Sequence, residues 1–114
     1  MTTINFDSET LTLTADGHAG DNLVCAAVSM LMFTLRERLY EQQEELGGIE
    51  INETLGDGHI SVSASCGDGD YYTYDVVLEA FEFAMTGARM LARRYPENVC
   101  AAPPLRQEIR DKRE

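Results

Sequence analysis

Thr10-Leu11-Thr12-Leu13-Thr14 alternates polar and apolar positions, the period of two expected of a strand with one wet face. A β-branched and apolar run over residues 2–6 precedes it, so the chain opens with a predicted hairpin, strands at 2–6 and 10–15. From residue 22 the period changes. Leu23, Val24, Ala27, Val28, Leu31, Leu35 and Leu39 recur mostly at spacings of three and four, predicting a helix over 22–45 that stops at Gly47-Gly48. Period two then returns. Ile60, Val62 and Ala64 oppose Ser61, Ser63 and Ser65, and Gly56-Asp57-Gly58 joins strands at 49–55 and 59–65 in a second hairpin. Val77, Leu78, Phe81, Met85, Ala88 and Leu91 give a second amphipathic helix over 74–95, closed by Pro96. The order β-β-α-β-β-α predicts an α+β fold, an antiparallel four-stranded sheet with both helices on one side.

Two stretches depart from that regularity. The first half of the long helix is apolar almost all round, since Ala26, Met30, Met32 and Phe33 fill its other faces. A helix of that kind must be covered on both sides, which points to self-association through Met30, Met32 or Phe33. Past residue 99 the pattern fades: 101–104 read as a linker and 105–114 as a charged helical tail. The folded domain is thus expected over 1–99 and a tail over 100–114.

Charge narrows the partners. A formal net charge of −11 over 114 residues leaves no basic surface to displace counterions from phosphates, so direct nucleic-acid binding is not expected. No run approaches the length of a membrane span, and the first residues lack a basic-then-apolar leader, which makes the cytoplasm the expected location. Cys25, Cys66 and Cys100 are an odd number with no C-x-x-C pair, which favours free thiols over a disulfide framework. With His18 and His59 the only histidines, no metal site or other cofactor is expected. His59, beside the second turn, reads as a solvated hairpin residue.

Candidate chemistry gathers in residues 17–29. Gly17 and Gly20 permit positive φ around His18, Asp21-Asn22 is a capping pair, and Cys25 falls in the first helical turn. A thiol there feels the positive end of the helix dipole, which favours the thiolate. Taken alone, such a cysteine fits simple burial equally well. His18 lies outside any apolar pattern, and the chain from His18 to Asn22 extends at most about 14 Å. A curled loop brings imidazole and sulfur together, with the imidazole as general base and acid and the amides of the helix start as oxyanion donors. A redox role is disfavoured because Cys25 has no partner cysteine beside it.

Gly17-His18-Ala19 followed by Val24-Cys25-Ala26-Ala27-Val28-Ser29 resembles the signature of the ribosomal-processing cysteine protease family (Prp). The likeness extends through Glu45-Leu46-Gly47-Gly48-Ile49, Gly58-His59-Ile60-Ser61-Val62 and Tyr95-Pro96-Glu97. It implies a small homodimeric α+β hydrolase, a thiol protease of ribosome biogenesis. Such an enzyme removes the N-terminal segment of a ribosomal protein precursor, or cuts a phage structural protein. It implies a dyad of Cys25 as nucleophile and His18 as base, with Gly17, Ala19 and Ser29 matching the family's supporting positions. Two departures mark a divergent member: the connection between His18 and Cys25 is shortened to residues 19–24, and Asn22 stands where the family carries an aspartate, with Asp21 beside it. An alternative follows from that shortening, a weakly active or inactive dimeric module that binds or regulates another protein.

Overall fold

The computed structural model describes residues 1–67 and 71–102. Strands β1 (Thr2–Asp7) and β2 (Thr12–Asp16) are followed by helix α1 (Asn22–Leu46). A second pair, β3 (Glu50–Gly56) and β4 (His59–Ser65), leads into α2 (Tyr71–Arg94), and β5 (Val99–Ala101) closes the order. The sheet runs β3-β4-β2-β1-β5. β1–β2, β2–β4 and β3–β4 are antiparallel, and β5 lies parallel to β1.

Both hairpins and both helices stand where the alternation placed them, but the four-stranded antiparallel sheet does not. The sheet is mixed and has five strands. Three residues are too few to display a period, and the prolines that follow made 101–104 look like a linker. Chain return after α2 creates the strand: Val99 is buried opposite Thr2, and the Thr2 N–H donates to the Asn98 carbonyl at 2.8 Å. Residues 68–70 lie outside the described residues, as do residues 103–114 and with them the charged helical tail expected over 105–114.

One face of the sheet supplies Ile4, Leu13, Ala15, Val62 and Ala64 to the core. The helices pack on each other and on that face, α1 through Val24, Val28, Met32, Leu35 and Leu39, and α2 through Val77, Phe81, Met85 and Ala88. The alternate residues Asn5, Asp16 and Ser65 remain exposed, as strand alternation requires. Met32, one of three residues expected on a self-associating surface, is fully buried in this core, whereas Met30 is 68% exposed. Phe33 carries the Arg36 guanidinium 4.8 Å above its ring. α1 ends where Gly47 takes φ 69 and returns its N–H to the Gln43 carbonyl. Among the described residues no helix is long and apolar enough to cross a membrane.

Candidate active site

The five residues between β2 and α1, 17–21, are tied down from three directions. Gly17 donates its N–H to the Gly58 carbonyl at 2.7 Å and accepts the Thr2 hydroxyl at 3.1 Å. At φ 96, a Cβ on Gly17 would fall 2.3 Å from the Met1 carbonyl oxygen, so only glycine passes there. Two residues on, Ala19 is buried and its carbonyl accepts the Asn98 side-chain amide at 2.7 Å. Asn98 also receives the Thr2 N–H, so one residue ahead of β5 braces both the loop and the start of β1. His18 sits between these anchored neighbours.

Asp21 is the N-cap of α1. Its Oδ1 accepts from Leu23 at 2.9 Å and Val24 at 3.1 Å, and its carbonyl accepts the Cys25 N–H at 2.9 Å. The capping half of the sequence reading therefore holds, with Asn22 as the exposed first residue of the helix. Asp21 takes up the amides of Leu23, Val24 and Cys25 in this way. Cys25 and Ser29, one helical turn apart, are both half-buried and line an open cavity of about 170 Å³ together with Gly17, His18, Val28 and Gly58. Of the residues expected at the site, Gly17, His18, Cys25 and Ser29 thus border one space. Ala19, Asp21 and Asn22 do not line it.

The β3–β4 turn meets this loop across the cavity. His18 Nε2 lies 3.3 Å from Asp57 Oδ1, with the imidazole 65% exposed. Its ring lies against Gly58, where a Cβ would stand 3.0 Å from Nε2. His59 borders the cavity as well and is hydrogen-bonded through Nδ1 to Asp16 Oδ1. Ala15 and Ile60 are partners in the ladder, and alternation puts Asp16 and His59 on the face opposite to them. Thr2, Asp57, Gly58 and Asn98 escaped the sequence reading. The Asp-Gly pair was legible only as a turn, and the other two act through contacts far along the chain. Among the described residues no group of three histidine, cysteine or acidic side chains is placed to hold a metal ion.

No protein-family model and no curated protein matches the chain. Solved structures do. The essential ribosomal processing protease Prp from S. aureus, in complex with a covalently linked product peptide, superposes with a TM-score of 0.61 at 19% identity, covering 88% of this chain and 94% of that one. The same protease with a substrate peptide gives a TM-score of 0.61 at 17% identity, over 89% and 95%. SMU.848 from Streptococcus mutans gives 0.55 at 26% identity, over 88% and 89%. The α+β fold with two helices and a five-stranded mixed sheet is therefore the fold of Prp.

Proposed function

We propose that this chain is a Prp-type cysteine endopeptidase that acts on the N-terminal segment of a ribosomal protein precursor. One observation carries the reading: within the fold of a peptide-cleaving protease, His18 and Cys25 border the same cavity. Cys25 attacks the scissile carbonyl as thiolate, and the carbonyl π electrons move onto oxygen. Collapse of that adduct expels the amine, which takes its proton from the His18 imidazolium and leaves a thioester on sulfur. Water then attacks the thioester, giving up a proton to His18, and Sγ departs as thiolate. Ser29, a turn beyond Cys25 on the same helix face, orients the peptide or the thiol. The chemistry consumes only water and calls for no cofactor, and it suits a cytoplasmic enzyme.

The protein is incubated, beside Cys25→Ala, with an N-terminally extended ribosomal protein and with a phage capsid precursor, and each is read by intact mass. A shortened ribosomal protein produced by the wild type alone is the expected result. Cleavage of the capsid precursor alone moves the substrate to the phage class. If neither is cut and Cys25 is unreactive, the reading gives way to the dimeric binding module.

The working unit is proposed to be a homodimer. Phe83 and Met90 are 78% and 49% exposed and line a groove between α1 and α2 together with Leu31 and Gly87, an apolar surface that a second copy covers. Sedimentation is expected to give twice the chain mass for the wild type and a single chain mass for Phe83→Lys. A wild-type monomer rejects the dimer.

A further inference from the structure

We infer that the β3–β4 turn is the seat of the catalytic histidine, with Gly58 giving the imidazole its room and Asp57 its polar anchor. The inference rests on the proposed protease reading and assigns to this hairpin a part in the reaction.

Three contacts converge on it. The turn is a two-residue Asp57-Gly58 connection between β3 and β4, and Gly58 takes φ 68, the left-handed conformation such a tight hairpin needs. Turn geometry alone asks only for glycine or asparagine. The His18 ring asks for more: Nε2, Cδ2 and Cε1 would lie 3.0, 3.3 and 3.5 Å from a Cβ at Gly58, so any side chain there would begin in tight contact with the ring. The Gly17 N–H to Gly58 carbonyl bond holds the loop residue just before His18 at the height of the same turn. Asp57 Oδ1 then meets Nε2 at 3.3 Å. That leaves Nδ1 as the ring nitrogen to take the Cys25 proton, with Asp57 meeting the ring at its other nitrogen.

The two residues differ in weight. Asp57 is 97% exposed, and ion pairs in water are weak, so its removal shifts the balance of ring positions modestly. Gly58 acts by exclusion. A Cβ at 58 makes the ring give by a few tenths of an ångström, and the atoms beyond it crowd the ring further; a displacement of about 1 Å between reacting groups costs up to about 10²-fold.

Thiol alkylation by iodoacetamide reads the seat without any substrate, because Sγ displaces iodide and the rate follows the availability of the thiolate. Gly58→Asn keeps a residue that tolerates the left-handed turn while adding the Cβ, and Asp57→Ala leaves the backbone alone. Alkylation of Cys25 at neutral pH is expected to fall about tenfold or more in Gly58→Asn and about two- to fivefold in Asp57→Ala. In a His18→Ala background both substitutions are expected to change the rate less than twofold, because the group they position is gone. Equal losses with and without His18, or wild-type rates in both single variants, overturn the seat while a fast, His18-dependent Cys25 keeps the protease reading intact. A wild-type Cys25 no faster than in His18→Ala overturns both. Should Gly58→Asn fail to fold, the Asp57→Ala pair decides alone.

Discussion

His18→Ala is expected to slow alkylation of Cys25 at neutral pH by about 10²-fold or more, the usual contribution of a positioned general base, and to abolish peptide cleavage with it. The chain carries its own controls. Cys100 is exposed on β5 and does not line the cavity that His18 and Cys25 border, so its rate is expected to be identical in wild type and variant. Burial pushes the Cys66 thiol up; a group raised in this way keeps its proton to higher pH. Its alkylation is therefore expected to be negligible at neutral pH and to climb only in alkaline solution, again without regard to residue 18. Peptide mapping after timed quenching separates the three sites. The dyad is refuted if Cys25 reacts no faster than Cys100 and ignores the loss of His18.

That experiment depends on a pairing only partly visible in the chain. His18 was legible because it stood outside any apolar pattern, Cys25 because it fell in the first helical turn, and the Asp21 cap because acidic and amide residues before an apolar helix have a strong local preference. The helices and hairpins were legible for the same reason: period and turn chemistry act over a few neighbours. What escaped depends on distance along the chain. β5 is three residues stabilised by β1, nearly the whole chain away. Thr2 and Asn98 brace the His18 loop through bonds spanning 15 and 79 residues. Met32 read as surface because the helix was apolar on every side, and only the packing of α2 decides which sides are covered. At the helix start capping competes with the oxyanion role: the acceptor that makes a good cap takes up the amides of Leu23 and Val24.

The same contrast between local pattern and distant packing governs the largest expected effect on stability. Phe81→Ala is expected to destabilise the fold by about 3–5 kcal/mol. Phe81 is fully buried at the meeting of α2 and the sheet, and its ring stacks on Phe6 with centroids 5.2 Å apart and planes 14° from parallel. Truncation removes that contact and leaves a void between β1 and α2 that neither element can close alone, since β1 is held by β2 on one side and β5 on the other. Against a total of about 5–15 kcal/mol for a domain, the loss takes a large share. Urea unfolding is expected to show a much lower midpoint with an unchanged slope, the sign of lost stability without a change in the surface exposed. Phe83, two residues along the same helix, faces outward, and Phe83→Ala measured on the dissociated chain is expected to stay within about 0.5 kcal/mol of wild type. Equal costs at the two positions would refute the core described for α2. The tethers at Gly17, Asp21 and Asn98 do not run through Phe81. While Phe81→Ala remains folded, its Cys25 is therefore expected to keep its dependence on His18.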